Sequence, residues 1–556
     1  MIHAGPLAAV FLLLLAPGDE GAALAPAGEE ITPAPAFHAP ATPSAPDTVD
    51  APDVPAEAPP PGTLFLHAER FEREDGSLGT VERGVLYVPA VRGSADDGVL
   101  AVEFWRFPAA GGVPDDRPPV FYLPGGPGFP GLAPDLERRG FYEREVAPFR
   151  GVADIVVMGQ RGIGASKPNT ACRGPEAPPA GERPDADDRA AAWREAARAC
   201  RAYWEPRVDL QAFTVLEAAD DVDAVRRALG YGEITLWGVS FGSHWAMAVM
   251  RRHPEAVGRA LLAGTEGPNH TYDDPAGVLE VFRRIGADAA DAPALEGLVP
   301  EGGFVAALRR TVRAREEEPR RMTVAREEAG DSVTVTIDGD AVRRLSHGYL
   351  GSVGERRWEA SWPLGVSLLA RGERQRAARW LAPPAEAREG GGLWRSAAYF
   401  MLDCSSGITP ERERRLTSDP AREVVGAQNR FYRATCPVWD ADLGDAFRTE
   451  FETAIPTVVV HGTWDLATPL ENALELLPRF RDHTFVRVER GSHGALDEAL
   501  GESGAFRRAV AAYLATGDRS GLPRRLELPE PDWVGPEALE ARDEAPGGGG
   551  QDRSVR

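Results

Sequence analysis

Short apolar runs alternate with stretches of helical spacing through most of this 556-residue chain. Residues 81–89 and 99–107 read as strands separated by Gly and Asp clusters. Residues 119–123, 154–158, 234–237, 259–263, 455–460 and 485–488 are further apolar runs of strand length. Residues 213–229 carry Leu216, Val222, Val225 and Leu229 at helical spacing, with Thr214 placed to cap them, and a second helix begins around 244–250. Strands alternating with helices predict an α/β fold: a mostly parallel sheet covered by helices on both faces.

The rhythm breaks between about 270 and 450. Charged helical runs such as 306–317 and the tryptophans Trp358, Trp362, Trp380 and Trp394 stand there instead, and 333–337 alternates like a hairpin strand. This stretch reads as an inserted, mainly helical cap with its tryptophans in packing roles. Before the body, an apolar run over 7–16 ends at Pro17. It is too short to span a bilayer, and small residues follow it, as in an export signal. The expected organisation is a signal peptide over 1–25, a Pro/Ala-rich linker over 26–62, a first core segment over 63–270, the cap over 271–450, a second core segment over 451–533, and a charged, Gly-rich tail over 534–556.

Charge narrows the partners. Acidic residues number 85 against 62 basic, a formal charge of -23, which repels phosphate backbones and argues against nucleic acid. No segment predicts stable membrane insertion, and no motif calls for a cofactor. The four cysteines are Cys172, Cys200, Cys404 and Cys436. An even count in an exported chain suggests disulfides. Nearest-neighbour pairing gives 172–200 and 404–436, although three connectivities fit the count. No pair has C-x-x-C spacing, so no metal site is expected.

Gly238-Val239-Ser240-Phe241-Gly242 carries the chemistry. It follows an apolar strand and opens a helix, the context of a nucleophile elbow, which makes Ser240 the expected nucleophile. A serine hydroxyl needs a base, and the base needs an orienting acid. Asp465, just past the strand at 455–460, and His493, just past that at 485–488, follow in the chain order Ser, Asp, His. His461 ends a strand, so it is expected to bond locally, and His244 should point away from the serine. The tetrahedral oxyanion needs two donors. The backbone N–H of Phe241 is one by position. The second is expected from Gly125-Gly126-Pro127-Gly128, with Gly126 preferred.

Together, Gly125-Gly126-Pro127-Gly128, Gln160-Arg161-Gly162-x-Gly164-x-Ser166, Gly238-x-Ser240-Phe241-Gly242, and Asp465-x-x-Thr468-Pro469 with Gly491-x-His493-Gly494 resemble the proline iminopeptidase and tripeptidyl aminopeptidase family of α/β-hydrolases. The likeness spans roughly 80 to 515. The late cysteines look more like the tripeptidyl branch, typically secreted by bacteria, which implies a secreted or periplasmic serine peptidase releasing residues from free N-termini. The family often has Tyr where Phe241 stands and Asp where Gly159 stands, the latter bearing on a salt bridge to Arg161. Its acidic cap residues hold the substrate amine, and Glu266 and Asp403 are the candidates here. An esterase or lipase acting on small esters uses the same triad, so the substrate is a peptide or a small ester. A non-catalytic binding protein of this fold usually lacks a triad member, and all three are present.

Overall fold

The computed structural model describes residues 15–16, 59–73, 75–94, 98–114, 116–128, 141–175, 186–326, 331–343, 356–373, 393–427 and 429–537. The expected leader (apart from 15–16), the linker before 59 and the tail after 537 lie outside the described residues, as do Trp380 and the side chains of Trp358 and Trp394.

Ten strands form one sheet. They are β1 (Leu64–Glu72), β2 (Leu78–Pro89), β3 (Val99–Phe107), β4 (Val120–Leu123), β5 (Ile155–Met158), β6 (Ile234–Val239), β7 (Val257–Ala263), β8 (Thr457–Gly462), β9 (His483–Glu489) and β10 (Arg525–Glu527). Their order is β10-β9-β8-β7-β6-β4-β5-β3-β2-β1. β1 to β3 are antiparallel, and β3 pairs antiparallel with β5. From β5 to β10 every pairing is parallel. The sheet is therefore mostly parallel, as expected.

The central strands are buried on both faces, which is why they read as continuous apolar runs rather than alternating ones. Successive residues feed opposite cores. Phe121, Leu123, Val156, Met158, Leu236 and Leu262 share one core with helices α1 (Ala186–Trp204), α2 (Val215–Ala228) and α3 (Phe241–Arg252). Val120, Tyr122, Val157, Trp237, Leu261 and Val460 enter the other core with the C-terminal helix Gly504–Thr516. Tyr513 of that helix donates to the carbonyls of Ala260 at 2.9 Å and Pro456 at 2.8 Å, stitching the start of β8 to β7.

Residues 264–456 leave the sheet between β7 and β8. They include the helices α4 (Pro275–Ala289), α5 (Gly303–Glu317), α6 (Arg357–Arg371) and α7 (Ala397–Cys404), and the antiparallel pair Arg320–Arg326 with Asp331–Ile337. Helices α4 to α6 bury their own apolar cluster, in which Trp362 lies against Phe282 and Phe304. The disulfides pair neighbours in sequence, Cys172 with Cys200 and Cys404 with Cys436.

A buried ion pair ties the loop after β5 to α2. Arg161 has no exposed side chain, and its Nε and Nη2 donate to the two oxygens of Asp221 at 2.7 and 2.6 Å. The Gly159 departure does not touch this pair. A Cβ at 159 would lie 2.5 Å from the Glu103 carbonyl, so the backbone contact leaves no room for an aspartate unless the loop shifts. Removing one member of a buried pair strands the other's charge. Asp221→Ala is expected to lower unfolding free energy by about 3–5 kcal/mol in urea denaturation. Arg227→Ala, which removes an exposed guanidinium whose partner Asp223 keeps its bond to Arg226, should change it by less than about 1 kcal/mol.

Candidate active site

The elbow is built by close approach. Ser240 has φ 57° and ψ −129°, a left-handed conformation that a serine adopts at a cost of about 1–3 kcal/mol. A Cβ on Gly242 would lie 1.9 Å from the Leu123 carbonyl, so only glycine lets α3 start this close to β4. The Ser240 N–H donates to the Ala263 carbonyl at 2.9 Å, fixing the turn against the end of β7.

Asp465 and His493 meet as the chain order predicts. Asp465 is fully buried, and His493 Nδ1 lies 2.9 and 3.0 Å from its two oxygens. Thr468 donates to the same carboxylate twice, from its backbone N–H at 2.8 Å and its hydroxyl at 2.9 Å. Burial pushes the Asp465 carboxyl up, but the attraction and hydrogen bond of His493 outweigh it and hold it below the usual range. With Nδ1–H directed at Asp465, Nε2 is left as the acceptor. The His493 ring packs on Gly264, beside Ala263, where a Cβ would come within 3.0 Å of its Cε1. Ser240 Oγ makes no hydrogen bond to His493 in this structure. Such contacts are commonly long before substrate binds.

His461 bonds locally, as expected. Its Nδ1 accepts the Thr265 N–H at 3.2 Å and its Nε2 donates to the Thr468 carbonyl at 2.7 Å. Burial lowers its proton affinity. His244 is also buried, with Nε2 at 2.9 Å from Ser406 Oγ.

Gly125 is the glycine pressed against the nucleophile. A Cβ there would be 2.9 Å from Ser240 Cβ. Gly126 follows with φ +117°, and the Phe241 N–H opens α3 behind the serine. One side chain fixes this loop. Gln160, wholly buried, accepts from the Gly128 N–H at 2.8 Å and donates to the carbonyls of Gly125 at 3.0 Å and Pro124 at 3.3 Å. Only an amide both accepts and donates in this way.

Glu266 and Asp403 come together, and Asp273 joins them. Glu266 is 1 % exposed, and neither carboxyl oxygen has a hydrogen-bond partner among the described residues. Its backbone N–H donates to Ser243 Oγ at 2.9 Å, and that hydroxyl donates to the Ser240 carbonyl at 2.6 Å, so the acid is tied to the elbow. Tyr432 donates to Asp403 Oδ2 at 2.7 Å. Burial raises all three carboxyls. Repulsion from Asp403 raises Glu266 and Asp273 further, and Asp403 itself is pushed up to about 6. Sequence reasoning missed Asp273, because the bonds that fix it reach Asn429 across the insertion. No group of His, Cys, Asp and Glu among the described residues is arranged to hold a metal.

Residues 118–500 match the family described as alpha/beta hydrolase fold. Serine protease Hip1 of Mycobacterium tuberculosis is 29% identical over 203 residues, covering 34% of this chain and 36% of that protein. Proline iminopeptidase of Neisseria meningitidis serogroup A is 32% identical over 149 residues, covering 27% of this chain and 33% of that protein. The chain thus matches little more than a third of either relative's length. Among solved structures, the esterase EaEST from Exiguobacterium antarcticum is 12% identical, covers 75% of this chain and 96% of its own, and has a TM-score of 0.33.

Gln160→Met keeps the bulk but removes the donor and acceptor that hold the glycine loop. Steady-state ester hydrolysis should show kcat lowered about a hundredfold with KM little changed, the pattern of a disturbed oxyanion donor.

Proposed function

The chain belongs to the α/β-hydrolase fold family, and from that footing we propose that it is a secreted serine aminopeptidase acting through an acyl-enzyme on Ser240. His493 Nε2 takes the Ser240 proton as Oγ attacks the scissile carbonyl, and Asp465 steadies the imidazolium that forms. The Phe241 N–H and a donor from Gly125-Gly126-Pro127-Gly128, with Gly126 preferred, receive the oxyanion. His493 then passes the proton to the leaving amine. A water activated by the same imidazole releases the acyl group.

The observation that carries the peptide reading is the Glu266 carboxyl group, which has no hydrogen-bond partner among the described residues, is buried beside Asp403 and Asp273 and is tied through Ser243 to the elbow. Buried like charges without a cation are unfavourable, and an ammonium entering among them relieves both repulsion and desolvation. A peptide's free amino terminus supplies that ammonium next to the bond to be cut, whereas a neutral ester does not. The matched segments of Hip1 and proline iminopeptidase point the same way. Export is supported by the two disulfides, which persist in oxidising compartments. Among the described residues no helix is long and apolar enough to cross a membrane.

The test compares the protein with Ser240→Ala on alanyl, prolyl and tripeptidyl anilides, the same anilides with blocked amines, and a short-chain ester. Serine-dependent cleavage confined to free amines is expected. Equal or faster cleavage of blocked substrates and esters makes the protein an esterase.

A pH dependence follows from the acidic group. Asp403 is raised to about 6, so its negative charge is present above that pH and lost below it. For free-amine substrates KM should rise as pH falls through 6. KM for a blocked substrate should stay flat over the same range.

A further inference from the structure

Most buried arginines here are neutralised by carboxylates: Arg161 by Asp221, Arg412 by Glu475 and Arg448 by Asp445. Arg395, which is half-buried, is different: the charge of Asp403 acts across the site on it, but no carboxylate among the described residues bonds it. Its Nε and Nη2 are shut off from solvent and have no hydrogen-bond partner among the described residues. These two nitrogens form one edge of the guanidinium fork. The same edge holds a carboxylate in Arg161 with Asp221, in Arg252 with Asp220 and in Arg106 with Asp154. In Arg395 neither nitrogen of this edge has such a partner among the described residues, in a chain where acidic residues outnumber basic ones 85 to 62.

The side chain is firmly placed. Arg395 lies on the strand Leu393–Ser396, paired antiparallel with Ala171–Arg173. Ser396 Oγ caps α7 by accepting the Tyr399 N–H at 2.9 Å. The guanidinium stacks 4.5 Å from the centroid of the Tyr399 ring. That ring in turn touches the glycine loop, since a Cβ on Gly128 would lie 3.2 Å from Tyr399 Cδ2. Gly125 of the same loop presses on Ser240, so a single aromatic ring separates Arg395 from the loop beside the nucleophile.

We propose that Arg395 is a carboxylate-binding subsite that takes an anionic group of the peptide through Nε and Nη2. A planar carboxylate fits this edge with two parallel charge-assisted bonds. The inference rests on the peptide reading above and narrows it. Glu266, Asp403 and Asp273 receive the ammonium, and Arg395 receives a carboxylate on the same ligand. The preferred substrates are therefore short zwitterionic peptides or peptides with an acidic side chain near the cleavage point.

Calorimetric binding to Ser240→Ala protein tests this without turnover. The ligands are trialanine as free acid, trialanine amide, and the amide with one alanine replaced by glutamate, each with a free or acetylated amine. The free acid should bind about tenfold or more tightly than the plain amide. Adding Arg395→Gln should erase that difference, and Arg395→Lys should keep part of it. Recovery of affinity by the glutamyl amide assigns the carboxylate to a side chain, and recovery only by the free acid assigns it to the C-terminus. Equal binding of all three carboxyl forms overturns the subsite. So does an equal loss for every ligand in Arg395→Gln, the result of a purely packing role on Tyr399. Acetylation of the amine is read separately. If it leaves affinity unchanged, the aminopeptidase reading falls while the carboxyl comparison still decides the subsite.

Discussion

The contact on which the site depends is the approach of α3 to β4 through Gly242. With the Leu123 carbonyl where a side chain would be, the chain must turn sharply after β6, and Ser240 takes the left-handed conformation at the apex. That turn brings the hydroxyl out at the carboxyl edge of the sheet, where the loops after β4, β7, β8 and β9 also emerge. Gly125 reaches Ser240, and Gly264 and Asp465 reach His493, because those strands are parallel and share one edge. The strain at Ser240 is held by the Ala263 hydrogen bond and by apolar packing on both faces of β6.

Around this rigid edge the polar groups divide into two kinds. Asp465 is satisfied on every side, by Thr468 and His493, so burial does not force a proton onto it. Glu266 is the opposite case, with burial and neighbouring acids raising it and no hydrogen-bond donor to it among the described residues. The first arrangement suits a group that must stay charged through a reaction cycle. The second suits one whose partner arrives with the substrate.

The sheet and the meeting of Asp465 with His493 were legible in the sequence because both rest on local signals. Buried parallel strands are unbroken apolar runs, and the catalytic candidates sit just past the ends of successive runs. The missed elements lack such signals. β1 is an edge strand with Phe65 and Leu66 exposed, so no clean alternation marks it, and β10 has only three residues. Within the insertion the helical run at 306–317 was legible, but the other helices and which residues face the elbow were not. Asp273, Tyr432 and Arg395 acquire their places from contacts between distant segments, which helical spacing does not encode.

The stitching of β8 to β7 has a consequence for the integrity of the molecule. Four register pairs and the two Tyr513 hydrogen bonds join these strands independently of the peptide chain that wanders through 264–456. Covalent continuity of that excursion is therefore not what keeps Ser240 opposite Asp465 and His493. A protease that nicked it would leave two fragments held as one body by the sheet, and the catalytic edge would outlast damage to the region that screens it. The groups that would hold the substrate, carried on the excursion, and the triad on the sheet edge are in this sense separable parts, open to being remodelled one without the other.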